Sequence, residues 1–226
     1  MSPRLSRRQL LQGMVAAIAL LEAGAAPAAR AAGLGDLVPT GVALLPPGVA
    51  PTLGAFADTL IPGEKRSLGD RVVAGAAPGA GAVQAGALAL LTMPEAGMEL
   101  LLPELSTLLN AEATAWAAAH AIVPDPTVPP MVALPFEART GLVGSLLDPA
   151  HADQQVWILL ALMTFIAFHT AGFEHTQEAV AHHHPGLSRL RFPAPDPDGL
   201  YRFPAFSYAR QLADCHPATT ASGSPA

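Results

Sequence analysis

Apolar residues recur along this chain at helical spacing. The first clear run is PTLGAFADTLIPG, residues 51–63. Leu53, Phe56, Ala57, Leu60 and Ile61 fall at i, i+3, i+4, i+7 and i+8, one stripe along a helix. Pro51 suits a first helical turn, and Pro62-Gly63 stop the helix. Asp58 lies just before that stop, where it either bonds the loop that follows or is a plain surface carboxylate. EKRSLGDR, residues 64–71, is the densest charge cluster and reads as a solvated loop, which GAAPGAGA continues as a flexible connection. Helical patterns follow over 82–91 and 104–121, the second with Leu105, Leu108, Leu109, Glu112 and Trp116 on one face. Prolines make 122–134 irregular, and 135–147 is helical again, with Phe136, Val143, Leu146 and Leu147 available to a core.

The longest pattern runs over 152–183. Its middle, 156–168, is apolar except for Thr164. A helix apolar all round is a buried core helix or a membrane span. Thirteen apolar residues, closely flanked by Gln154, Gln155 and His169, are short for a span, so the pattern predicts a buried central helix. Beyond Gly186 the chain reads as irregular. Phe192, Tyr201, Phe203, Phe206 and Tyr208 are interleaved with prolines, a composition suited to strapping across a helical body. The expected organisation is a signal over 1–31, a lead-in over 32–50 and a helical domain over 51–186. A strap over 187–216 and a disordered tail over 217–226 complete it.

Composition agrees with an all-α domain. Of 226 residues, 51% are hydrophobic and 13% charged, enough apolar content for a sizeable core. Aromatics are scarce at 5%, which disfavours a β-sandwich. The start, MSPRLSRRQLLQGMVAAIALLEAGAAPAARAAG, has the basic, then apolar, then small-residue layout of an export signal. SRRQLL fits the twin-arginine pattern through Arg7 and Arg8, and Ala29-Arg30-Ala31 offers a cleavage site. The apolar run from Gly13 is too short for an anchor and meets Glu22. These features predict an extracytoplasmic chain with no stable membrane span after cleavage. Removal of 1–31 leaves eight basic and seventeen acidic residues, a charge of −9 against −6 for the full chain. That balance carries no footprint for nucleic acid. The single Cys215 rules out an internal disulfide.

Candidate chemistry is sparse. GAAPGAGAVQAG lacks the third glycine and the preceding strand of a dinucleotide site. No phosphate-binding loop, haem attachment or nucleophile elbow is present. FIAFHTAGFEHTQEAVAHHHPG, residues 165–186, holds five of the eight histidines. On a continuous helix His175, Glu178 and His182 would share a face, as would Glu174, Glu178 and His182, and such sets ligate zinc or iron. The other reading, which the pattern favours, is a helix end whose histidines meet the free carbonyls and the dipole. His169 reads as a core histidine bonded to backbone.

LGAFADTLIPG, preceded by the twin-arginine pattern and followed by a small-residue loop, resembles the gluconate 2-dehydrogenase subunit 3 family. EKRSLGDRVVAGAAPGAGA stands in place of the loop usual there. VPPMVALPFEARTGLV, HHHPGLSRLRFPAPDPDGLYRFPAFSYAR and SGSPA are still more similar to the DUF5987 family. The resemblance implies an all-helical small subunit without catalytic residues or a cofactor of its own. Such a subunit assists maturation of a flavin-containing GMC-type oxidoreductase, which would carry FAD, and supplies its export signal. Phe192, Tyr201, Phe203, Phe206 and Tyr208 are then candidate partner contacts. The alternative is a free-standing metal-binding protein or metal-dependent enzyme using His175, Glu178 and His182.

Overall fold

In a computed structural model of the chain, the residues described are 45–98 and 100–197. Arg7, Arg8, Tyr201, Phe203, Phe206, Tyr208 and Cys215 lie outside them. Among the described residues all regular structure is helical. The α-helices are α1 (Val49–Leu60), α2 (Ala87–Leu91), α3 (Leu102–Ala119), α4 (Pro130–Ala133), α5 (Phe136–Leu146), α6 (Gln154–Thr170), α7 (Thr176–Ala181) and α8 (Pro185–Arg189). A single 3-10 turn, Pro94–Ala96, follows α2. The all-α reading is borne out.

Helix α1 is the hub. It packs against α2, α3, α4, α5 and α6, and every residue from Thr52 to Thr59 is buried. Its stripe of Leu53, Phe56 and Ala57 is fully enclosed, as the spacing requires. Each large apolar side chain buried this way contributes about 1.5–3 kcal/mol. Small residues on its other faces, Gly54 and Ala55, let neighbours approach closely: a Cβ on Gly54 would meet Val72 at 2.8 Å. Asn110 ties three helices together. Its amide nitrogen donates to Thr52 Oγ1 (3.0 Å) and its oxygen accepts from Met131 N–H (3.1 Å).

Helices α3 and α5 follow the apolar pattern, burying Leu105, Leu109, Ala113 and Leu142, Val143, Leu146. Three elements depart from it. The proline-rich 122–134 contains the short α4, which a proline can open because the first turn needs no N–H there. The helix expected over 82–91 starts only at Ala87, because Gly86 takes φ +84. A Cβ at Gly86 would also run into the Phe173 ring. The helix expected over 152–183 breaks after Thr170. Ala171 adopts the left-handed conformation, φ 51, as C-cap, with Gly172 behind it. This costs roughly 1 kcal/mol at a non-glycine residue. It turns the chain so that Phe173 packs against the core over Gly86.

Helix α6 buries Val156, Trp157, Leu160, Ala161, Met163, Thr164, Ala167 and Phe168. Its remaining flank, Ile158, Leu162 and Phe165, is about 40% exposed (43%, 40% and 39%). No helix among the described residues is long and apolar enough to cross a membrane. After α6 the chain doubles back through α7 and α8. Residues 187–189, expected in the strap, complete α8, which is seated on α6.

Candidate functional site

Two polar constructions stand out within this apolar body. The first joins α1, the loop after it and α5. Asp58 is fully buried. Its Oδ1 accepts from Gly63 N–H (3.2 Å) and its Oδ2 from Ala74 N–H (2.8 Å). The expected bond to the following loop is therefore present. Gly63 itself lies against Gly81: a Cβ on Gly81 would sit 2.5 Å from Gly63 N and from Ile61 O. Ala82 N–H donates to Ile61 O (2.9 Å), and Glu64 N–H to Gly79 O (2.7 Å). GAAPGAGA is thus held down against the IPG turn, not a flexible connection. Small side chains are needed there because two stretches of main chain cross.

Arg139 on α5 grips the same loop from the other side. It is 4% exposed. Nε donates to Leu134 O (3.0 Å), Nη1 to Val72 O (2.7 Å), and Nη2 to Arg71 O (2.8 Å) and Val132 O (2.7 Å). All four acceptors are main-chain carbonyls. Asp58 and Arg139 feel each other's charge, though no direct ion pair joins them. Burial pushes the Asp58 carboxyl above its ordinary range, against the pull of the two N–H donors and Arg139. Burial lowers the Arg139 guanidinium, against the charge of Asp58. Arg139 was not among the residues singled out by sequence. Its one legible signal is position: Leu142, Val143 and Leu146 follow at i+3, i+4 and i+7, so an arginine sits on the apolar face of its helix.

Between these two grips the charged loop has structure of its own. Arg66 pairs with Asp70, and Asp70 Oδ1 accepts from Val72 N–H and Val73 N–H (3.0 and 3.1 Å). Arg71 pairs with Asp125 across the connector after α3 (3.0 Å). Leu68, at the tip, is fully exposed.

Acid should loosen this loop. Burial raises the Asp70 carboxyl, but Arg66 and the two N–H donors outweigh it and hold the pKa at about 2, below its ordinary 3.8. A depressed carboxylate stabilises the fold above its unfolded pKa, and that contribution is lost as pH falls from about 4 through about 2. Asp58 acts with the opposite sign. Its raised pKa means that ionisation costs stability as pH rises through the folded value. Thermal melts between pH 5 and pH 2 should therefore fall for the wild-type chain and fall less for Asp70→Asn.

The second construction is the histidine region. His175 is the N-cap of α7, its Nδ1 accepting from Gln177 N–H (3.3 Å). Glu178 is exposed in the first turn. His182, the C-cap, pairs through Nε2 with Glu174 Oε2 (2.6 Å). The candidate trio His175, Glu178 and His182 is not brought together: His175, at the extended N-cap of α7, is turned to Gln177 N–H, and His182 at the other end is turned to Glu174. Among the described residues no three His, Cys, Asp or Glu side chains converge as a metal ion requires. His184 is buried; its Nε2–H donates to Ala85 O (3.0 Å) and its Nδ1 accepts from Leu187 N–H (3.4 Å), which fixes a neutral tautomer. Burial lowers its pKa, partly offset by the Ala85 carbonyl. His169 is exposed and stacks on Phe165 (6.1 Å), rather than bonding to backbone within the core. The histidine end of the sequence is a set of helix caps and one buried strut.

The class these features define is a small all-α domain with a main-chain-clamped surface loop. The chain belongs to the family of unknown function DUF5987, whose model matches residues 49–226. That span begins at the first residue of α1 and takes in both polar constructions. No curated protein and no solved structure matches the chain.

Proposed function

We propose that this chain is an exported, non-catalytic accessory subunit. It would assist maturation and twin-arginine export of a flavin-dependent GMC-type dehydrogenase or oxidase, which carries the FAD. The observation that supports this reading is the use made of LGAFADTLIPG, the segment resembling the gluconate 2-dehydrogenase subunit 3 family. Its Asp58 and Gly63, with Arg139, fix the loop over 64–74 in place and leave Leu68 wholly in solvent. A loop ordered in advance loses little entropy when a partner covers it, which favours its use for binding. Phe192, 37% exposed, offers a second apolar contact.

Co-expression with GMC-type flavoproteins of the same genome, followed by affinity capture of this chain, tests the reading. A flavoprotein should copurify. Leu68→Asp should reduce its recovery by roughly tenfold, the effect of losing about 1.4 kcal/mol of binding, with an unchanged melting temperature. Arg7→Lys with Arg8→Lys should retain both proteins in the cytoplasm. A chain exported alone as a stable monomer, with no flavoprotein captured, overturns the proposal.

A further inference from the structure

Two segments that the fold ties together each hold an apolar side chain in open water. Among the described residues the most exposed large apolar side chains are Leu68, Val123 (93%) and Leu100 (86%). Single cases of this kind are ordinary. Leu68 and Val123 are not single. The Arg71–Asp125 ion pair (3.0 Å) joins the loop that carries the first to the connector that carries the second. Leu100, by contrast, precedes α3 while Val123 follows it, so about 27 Å of helix separates those two.

Both carriers are stiff. Asp58 and Arg139 hold the loop through its main chain. The connector has Pro124 and Pro126 on either side of Asp125. Asp125 Oδ1 accepts from Thr127 N–H (2.8 Å) and from the Thr127 hydroxyl (2.6 Å), while Oδ2 accepts from Arg71 Nη1. One carboxylate thus sets the turn of the connector and ties it to the loop. The Thr127 bonds, then Arg71, hold that carboxyl well below the usual range, at about 2. A surface ordered in advance loses little entropy when it is covered.

The charges beside the two side chains say what fits them. Lys65, Arg66 and Arg71 are three of the six basic residues among the described ones, so this loop concentrates the cations of an acidic chain. The nearby acids face elsewhere. The Asp70 side chain is 4% exposed beside Arg66, and Glu64 turns back to Gly79 N–H (3.3 Å). The outward face is therefore apolar with cations at its edge, on a chain of net charge −6. A partner rich in carboxylates is repelled by the chain's excess of acid and drawn to this face.

We propose that Leu68 and Val123, with Lys65 and Arg66 at their edge, form one docking surface for a protein whose apolar patch is rimmed by Asp and Glu. This inference rests on the accessory-subunit reading, in which that protein is the flavoprotein, and extends the interface from the loop to the connector.

Capture of a co-expressed GMC-type flavoprotein by the full chain tests it. Val123→Asp and Lys65→Glu should each lower recovery roughly tenfold, equivalent to about 1.4 kcal/mol of binding, with unchanged melting temperatures. Leu100→Asp, the same kind of change at the far end of α3, should leave recovery as it is. The loss at Lys65→Glu should shrink as salt is raised. A flavoprotein recovered equally by the wild type, Val123→Asp and Lys65→Glu overturns this inference and leaves the accessory-subunit reading standing. An equal loss at Leu100→Asp overturns it too, because the effect would then not belong to this face. No flavoprotein with the wild-type chain overturns the reading and the docking surface together. Cosedimentation of the wild type with phosphatidylglycerol vesicles, lost in Val123→Asp and Lys65→Glu, would assign the face to a lipid headgroup and overturn the proposal.

Discussion

Arg139→Met is expected to destabilise the protein by about 3–5 kcal/mol, the sum over buried main-chain carbonyls left without a donor. The methionine fills much of the space of the arginine stem, so packing is largely kept. What is lost is four donations, to Leu134 O, Val132 O, Val72 O and Arg71 O. Carbonyls left unpaired in a dry interior each cost about 1–3 kcal/mol, and only those on the loop can turn out to water. Asp58 would also lose the charge of Arg139, one of the influences that offset its burial. Arg139→Lys should recover little, since a single ammonium cannot bridge carbonyls on both sides of a planar fork. Chemical denaturation measures the total. Hydrogen exchange locates it: the amides of Gly63 and Ala74, bonded to Asp58, should lose protection first. A double-mutant cycle with Asp58→Asn should show a coupling of at least ~0.5 kcal/mol, because the two residues hold one loop. A loss below 1 kcal/mol for Arg139→Met would mean that the clamp contributes little.

The second large effect is expected at Gly186. An added Cβ there would fall far inside van der Waals contact distance of the Phe168 carbonyl oxygen. Overpacking costs typically about 1–3 kcal/mol. The upper end applies here, because the obstacle is main chain in the last turn of α6 and cannot rotate away. Helix α8 must lift instead. Lifting it exposes Leu187, buried with Ala171 and Ala179, and strains the bond from His184 to Ala85. Gly186→Ala should therefore lower the melting temperature by roughly 5–10 °C. Ser188→Ala, exposed on the same helix, should change it by less than about 2 °C. Equal melting temperatures for the two variants would show that α8 is not seated as described.

These two residues also mark how far the sequence could be read. Helices α1, α3 and α5 were legible because their apolar residues repeat at helical spacing and end at Pro or Gly. Asp58 was legible in part, since a carboxylate just before a helix stop has loop N–H groups within reach. Arg139 was not, because its loop partners, Arg71 and Val72, lie 68 and 67 residues away in the chain, and no local pattern encodes such a meeting. The break at Ala171 was missed for a related reason. Ala, Gly and Phe in sequence are compatible with a continuing helix, and the left-handed turn at Ala171 is sustained by tertiary packing of Phe173 over Gly86. The histidine set at 175 and 182 falls on the two caps of the short α7, where each ring is taken up by a local bond that spacing alone does not specify. The hub role of α1, and the open flank of α6, depend on which helices pack where, which periodicity does not specify.

The clamp on the loop over 64–74 has one property with wider reach. Asp58 and Arg139 hold it through Gly63 N–H, Ala74 N–H, Arg71 O and Val72 O, that is, by main-chain atoms alone. The frame is therefore indifferent to most of the side chains it displays. Lys65, Ser67 and Leu68, all exposed, are free to be rewritten without touching the grip. The domain thus separates the means of displaying a loop from the identity of what is displayed. Among relatives that keep the grip, this stretch is where selectivity could diverge, and in the laboratory it is a place to graft a foreign peptide.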